Sequence, residues 1–305
     1  MSVVDFSQLP PPNLIKELDF EQILAKRKER FISLFPTEQQ LQWKEVLERE
    51  SEPVTKLLEE NAYMELILTN QINQDARALL LAFSSGSDLD HIAISYYGLK
   101  RLVITPANPN TVPPTAAVME TDENLKERCI LSLSGFNTAG ATNAYKFFAK
   151  SADGRVADAS IISHEDNPCF LDVYITQHDS TNYEASPDLI NIVQKALDPE
   201  DVRPVGDRPT VHSSKAVPYQ IQARLYISQT AENVMLLSVA KKRLEKYVEN
   251  SKKIGQSIRR SAIYAALHVD GVSRVEILNL TSDIEISRSQ HAFCTSLDIQ
   301  IGGTE

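Results

Sequence analysis

QIQARLYI, Gln220 to Ile227, alternates polar and apolar side chains without a break. Ile221, Ala223, Leu225 and Ile227 fall on one side, and Gln220, Gln222, Arg224 and Tyr226 on the other, which is the period of a half-buried strand. The period then changes. In NVMLLSVAKKRLEKYVEN, residues 233–250, Leu237, Ala240, Leu244, Tyr247 and Val248 recur at helical spacing. A helix at 258–267 and strands at 272–280 and 294–301 follow. Upstream, 156–162 and 170–175 read as strands, 187–197 as a helix, and 202–210, with Pro204 and Pro209, as turns. Strands and helices without strict βα alternation predict an α+β fold and argue against a doubly wound parallel sheet.

The leading third reads differently. Pro10, Pro11 and Pro12 hold the chain extended. A helix over 18–35 then carries Phe20, Ile23, Leu24, Arg27, Phe31 and Phe35 near one stripe, and Pro36 ends it. Thr37 with Gln40 has the form of a capping box, followed by Leu41, Trp43, Val46 and Leu47 at helical spacing. Pro53 suits the first turn of the next helix. From there Leu57, Leu58, Ala62, Leu66, Ile72, Ala76, Leu79, Leu80 and Phe83 trace one stripe, predicting a helix of roughly 30 residues, about 45 Å long, stopped by Gly86. Ser87 and Asp90 open a short helix that Gly98 closes. A long helix with a wide apolar face and few strands to cover it implies that part of its partner surface lies in another chain.

The expected organisation is therefore an extended arm and first helix at 1–36, a helical region at 37–100, a middle α+β domain at 101–209 and a C-terminal α+β domain at 210–305. The four prolines of TPANPNTVPP, 105–114, read as a stiff connector, followed by helices at 122–134 and 138–151. Helix, Asp-Gly turn and strand recur at Asp153-Gly154 before Val156 and at Asp270-Gly271 before Val272, a loose sign of duplication.

With 31 basic and 41 acidic residues the formal charge is −10, which argues against a phosphate-coating protein. No apolar run reaches membrane-spanning length, and the N-terminus lacks the basic patch and apolar stretch of a secretory signal. Cys129, Cys169 and Cys294 are far apart and odd in number, as expected of reduced thiols in a cytosolic protein. Ten glycines leave little material for phosphate-cradling loops.

The chemical motifs are thin. Gly135 to Thr142 matches the spacing of a phosphate loop, but Ala141 replaces the lysine and a helix precedes it where a strand is required. The expectation is a helix–turn–helix corner, with Gly135 closing one helix and Thr138 capping the next. Asp88, Asp90 and His91 suit a first helical turn better than a metal. His164-Glu165-Asp166 and His178-Asp179-Ser180 lack a strained nucleophile turn. Lys241, Lys242, Arg243, Lys246, Lys252, Lys253, Arg259 and Arg260 form a basic cluster without the aromatic residues that would stack bases, so a solvated face is the simpler reading and an acidic subunit neighbour a second one. No catalytic, cofactor or metal residue is expected. An intracellular α+β enzyme with an unrecognised small-molecule site is the rival reading, and a nucleic-acid adaptor using 241–260 a third.

Five ordered stretches resemble the baseplate assembly protein J family of contractile-tailed phages and related tail-like particles: Leu9–Phe31, Glu50–Ala93, Glu123–Ile161, Asp198–Ile227 and Ser261–Ile277. The resemblance implies a wedge subunit of the tail baseplate without catalytic or metal residues. It further implies assembly with a second copy of the chain and with a smaller wedge protein of the tail protein I family. A lysozyme-like wedge protein would link this layer to sheath and tube, and a closed ring would surround the hub and spike. Neither nucleic acid nor membrane would be a partner; the protein would reside in the virion tail baseplate, after assembly in the host cytoplasm. On this reading Phe20, Ile23, Phe31, Trp43, Leu57 and Leu58 supply a shared helical bundle, and Lys241, Lys242 and Arg243 meet an acidic neighbour in the ring.

Overall fold

The computed structural model describes residues 10, 12–136, 141–227 and 233–304. The chain divides into two compact units, Met1–Lys100 and Arg101–Glu305. The first is helical: α1 (Phe20–Ser33), α2 (Thr37–Leu47), α3 (Pro53–Ala78) and α4 (Gly86–Tyr97). Asp19 caps α1 by accepting the Gln22 N–H at 3.0 Å. Asn73, buried within α3, accepts the Lys16 N–H at 2.9 Å and donates to the Lys16 carbonyl at 2.8 Å. One side chain thus pins the segment ahead of α1. The Arg27–Glu65 ion pair at 2.6 Å, farther along, fixes α1 antiparallel to α3.

Pro53 stands in the first turn of α3, as its missing donor predicts. Two other expectations fail. Thr37 is not a cap: Pro36 holds that position, and the Gln40 amide donates to the Phe35 carbonyl at 2.9 Å instead of accepting a backbone N–H. Gly86 does not stop α3. That helix ends at Ala78 after 26 residues, the chain turns through Leu80–Ser84, and Gly86 opens α4 at φ +54°, a region glycine enters without a Cβ clash. Gly98, at φ +66°, closes α4 as expected.

In the second unit, β1 (Val103–Thr105) pairs antiparallel with β2 (Val118–Met119). Residues 105–114 are therefore not a connector. Asn108 and Thr115 exchange both backbone hydrogen bonds at 3.0 Å, and the Asn108 carboxamide accepts the Asn110 N–H, so this stretch folds back as the end of a hairpin.

Next come α5 (Asp122–Gly135), α6 (Thr142–Ala152), β3 (Val156–Ser163), β4 (Phe170–Gln177), α7 (Pro187–Leu197) and β5 (Arg208–Ser213). The expected cap at Thr138 lies outside the described residues. Thr121 and Ser186 cap α5 and α7 through their hydroxyls. β4 is the central strand, antiparallel to β3 and parallel to β5, over a core that includes Val173, Ile175, Leu189, Val193 and Leu197. The turns expected over 202–210 give way to β5 from Arg208. Pro209 is tolerated there because β5 is an edge strand, and Gln194 of α7 bonds its outer side, donating to the Pro209 carbonyl and accepting the Val211 N–H, each at 2.9 Å.

A single buried residue, Ser214, leads from β5 into β6 (Lys215–Ile227), and the same hydrogen-bonded neighbourhood holds His291. Then follow α8 (Asn233–Asn250), α9 (Arg260–Leu267), β7 (Val272–Ile277) and β8 (Gln290–Thr304), with β6 central, antiparallel to β7 and parallel to β8. Ile221, Ala223, Leu225 and Ile227 all lie in the core, as the alternation of QIQARLYI requires. The fold is α+β. Both sheets combine one antiparallel and one parallel pairing, yet their routes differ: β4 directly follows the strand after the first Asp-Gly, whereas β6 precedes α8 and α9. The two glycines also do different work. A Cβ on Gly154 would sit 2.4 Å from the Val103 carbonyl oxygen, whereas Gly271 turns at φ +95°.

Candidate interaction surfaces

Helix α3 has two apolar faces, not one. Thr55, Ala62 and Asn73 are buried and Leu58, Leu66 and Ala76 half-buried, all on the side that packs against α1. Leu57, Met64, Leu68, Ile72 and Leu79 are 62%, 55%, 58%, 50% and 78% exposed. At about 100° per residue these five line up roughly 120° around the helix from the buried set. The expected single stripe therefore splits between a covered face and an open one. Met64 and Leu68 escaped the sequence reading; their spacing of seven, four, four and seven from Leu57 to Leu79 was the available signal.

The remaining bundle residues are partly used within the chain. Phe31, Phe35 and Trp43 form an aromatic cluster between α1 and α2, with centroids 5.2 Å (Phe31–Phe35), 5.5 Å (Phe31–Trp43) and 4.7 Å (Phe35–Trp43) apart. Phe20 and Ile23 are half-buried on α1, beside buried Leu24. The structure does not gather Phe20, Ile23, Phe31, Trp43, Leu57 and Leu58 into one exposed patch; of the six, only Leu57 is exposed.

The basic cluster also divides. Lys241, Lys242, Arg243 and Lys246 are exposed on α8, opposite buried Ala240, Leu244 and Val248, and carry no ion pair among the described residues. The other four are engaged inside the unit. Lys252 meets Glu249 and the Tyr183 hydroxyl, Lys253 lies 3.8 Å from Glu127, Arg259 pairs with Asp283 and Glu285, and the Arg260 N–H reaches Asp283.

Behind this surface lies a buried charge network. Glu127 of α5 faces Lys150 at 3.0 Å and Lys146 at 3.4 Å, and Lys146 also meets Asp158 at 2.9 Å. Burial alone would raise the Glu127 pKa; the fields of Lys150, Lys146 and Lys253 outweigh it and bring it from 4.5 to about 2. A bulge between Val156 and Ala159 re-aims Asp158, which accepts the backbone N–H of Ile254 beyond α8. Arg288 donates to the Ile161 carbonyl at 2.8 Å, and His291 Nε2 lies 2.8 Å from the Asn182 carbonyl. These links tie the two sheets together.

The catalytic candidates separate. His164 and His212 each approach one oxygen of Asp172, at 3.1 and 3.3 Å. His178 lies 3.1 Å from the Asn124 amide, its pKa lowered by burial. Asp88 and His91 are exposed on α4, and among the described residues no group of three or more His, Cys, Asp or Glu is placed to hold a metal. Burial pushes the Cys129 thiol up to about 11, away from the reactive thiolate range. A cleft of about 530 Å³ between α1 and α2 is lined by Ala25, Ile32 and Leu47 with Lys28 and Lys44, and Lys28 is already bonded to the Leu47 carbonyl.

Three family models match in order: a baseplate J-like N-terminal domain at residues 50–108, a baseplate J-like central domain at 137–213 and a baseplate J-like protein C-terminal domain at 219–300. Baseplate protein J of Escherichia phage P2 is 46% identical over 305 residues, covering 100% of both chains. A chain in the cryo-EM structure of the anti-feeding prophage baseplate aligns with a TM-score of 0.41 and 12% identity, over 59% of this chain and 44% of that one.

Proposed function

Because the chain belongs to the baseplate J-like family, we propose that it is an inner wedge subunit that joins fellow subunits through the open face of α3. It is a structural protein of the phage tail baseplate and not an enzyme. The finer reading is that α1–α4 enter a bundle with a second copy of the chain and a smaller wedge protein of the tail protein I family. The second unit makes the ring contacts around the hub and spike, and a lysozyme-like wedge protein connects this layer to the sheath. Wedges form in the host cytoplasm before joining the tail, and ring opening passes the contact signal to the sheath.

The observation that carries this reading is the stripe Leu57, Met64, Leu68, Ile72 and Leu79. A water-facing helix side normally carries polar residues, and five large apolar side chains in register are a surface to be covered by another helix. Met64 adds an adaptable contact of the kind common at binding faces. The ring reading draws on Lys241, Lys242 and Arg243, exposed without internal acids on a chain whose formal charge is −10.

Co-expression with the tail protein I family subunit tests the bundle. The full chain is expected to co-purify with it and a chain lacking residues 1–98 is not; equal recovery of both would refute the bundle.

A further inference from the structure

Three of the four edge strands in the two three-stranded sheets are visibly blunted. On β3 the Ile161 carbonyl is taken by Arg288, and a bulge interrupts its start. On β5 the Gln194 carboxamide occupies the outer backbone groups of Pro209 and Val211, and the proline itself lacks a donor. β7 is six residues long and carries Arg274 and Glu276. Short length, charge, proline, bulges and side-chain cover are the usual defences against edge-to-edge pairing.

β8 is the longest of the four. It runs for 15 residues, QHAFCTSLDIQIGGT, with no proline, lysine or arginine and with Asp298 as its one acid, and among the described residues it pairs only with β6. Thr295 and Gly302 are extra residues against the β6 register, and between them Ser296–Ile301 continue unbroken against Gln220–Leu225. The Cys294 thiol lies 3.4 Å from the Ser296 carbonyl, and among the described residues no side chain bonds the backbone of Leu297–Ile301.

We propose that this free edge pairs antiparallel with the same edge of a second copy of the chain, about a two-fold axis through Ile299, joining two three-stranded sheets into one of six. The register follows from the side chains. A two-fold axis perpendicular to the sheet sets residue i opposite residue j with i and j summing to twice the central position, and opposed residues share a face. Centred on Asp298, two carboxylates would oppose each other. Centred on Ile299, Asp298 of each copy faces Gln300 of the other, twice, and Leu297 faces Ile301. Gln300 already shows the donor chemistry: its Nε2 lies 3.2 and 3.1 Å from the two oxygens of Asp298 in its own strand. Leu297 and Ile299 pack against the C-terminal core, so the polar pairs lie on the opposite face. The proposal uses none of the α3 residues and does not depend on the bundle.

The test mixes full-length Asp298→Cys and Gln300→Cys chains in equal amounts under mild oxidation, with the joined peptides identified by mass spectrometry. Opposed residues in an antiparallel pair have Cα atoms about 5 Å apart, within disulfide reach. The expected product is the 298–300 heterodisulfide, in excess over either homodisulfide. In light scattering, Gln300→Asp is expected to weaken the wild-type dimer about tenfold by opposing like charges twice, and adding Asp298→Lys to it restores the affinity. Both positions are exposed, so melting of the isolated chain serves as the folding control and is expected to be unchanged. A chain that stays monomeric, or a dimer that forms no 298–300 bond and ignores Gln300→Asp, would overturn the proposal.

Discussion

Asp158 Oδ2 accepts the backbone N–H of Ile254 at 3.0 Å. This hydrogen bond crosses from β3 to the turn after α8, 96 residues on in sequence, and the same carboxylate faces Lys146 at 2.9 Å. The angle between the two sheets is therefore set by buried polar links, with only Ser214 between β5 and β6.

Asp158→Asn tests that junction. The substitution keeps the shape but removes the charge opposite Lys146 in a site that is 7% exposed. Losing one partner of a buried pair costs about 3 kcal/mol. Urea unfolding of the variant is expected to show a loss of that order; a change within error would mean the pair is solvated.

Acid stability follows from Glu127. Its folded pKa is depressed from 4.5 to about 2, so the carboxylate contributes stability that is fully present above the unfolded value and is lost as pH falls through about 2. The contribution is of order 3 kcal/mol. Unfolding free energy measured between those two pH values is expected to rise with pH in the wild type and less steeply in Glu127→Gln. Identical slopes would remove Glu127 from the acid response.

Gly154→Ala and Gly206→Ala form a matched pair. A Cβ at 154 would meet the Val103 carbonyl oxygen at 2.4 Å, and backbone cannot swing aside as a flexible side chain can, whereas at 206 its nearest neighbour is the Cys169 sulfur at 4.0 Å. The first change is expected to cost about 2 kcal/mol by overpacking and the second to be near neutral in thermal melts. Equal effects would mean that β1 does not press on the turn after α6.

Much of this architecture was legible in local periodicity because each element obeys a single rule. Pro187 to Leu197 is a helix between its own proline start and its apolar repeat, and QIQARLYI is a strand because every second residue is buried. The failures arise where tertiary neighbours decide. Residues 105–114 read as a linker because prolines stiffen a chain, yet Asn108 and Thr115 close it into a hairpin. Pro209 read as a turn because a strand edge covered by Gln194 cannot be seen in sequence. Among the candidate surfaces, Leu57 was legible as apolar but not as exposed, since a list of apolar positions does not say which faces α1. The eight basic residues 241–260 could not be sorted before Asp283, Glu285 and Glu127 were placed beside three of them and Tyr183 beside a fourth.

Combined charge reversal at Lys241, Lys242 and Arg243 separates a contact surface from a solvated one. All three side chains are exposed, so thermal stability is expected to move by less than about 0.5 kcal/mol. Ring closure in reconstituted baseplates, followed by electron microscopy, is expected to weaken. Unchanged rings would return these residues to the solvent.

The open face of α3 is tested most directly by a full chain carrying Leu57→Lys, Met64→Lys and Leu68→Lys, expressed beside the other baseplate proteins and assayed for incorporation into wedges. All three residues are more than half exposed, so the isolated variant is expected to melt like the wild type yet stay out of wedges. A variant that folds normally and is incorporated at the wild-type level would contradict the account.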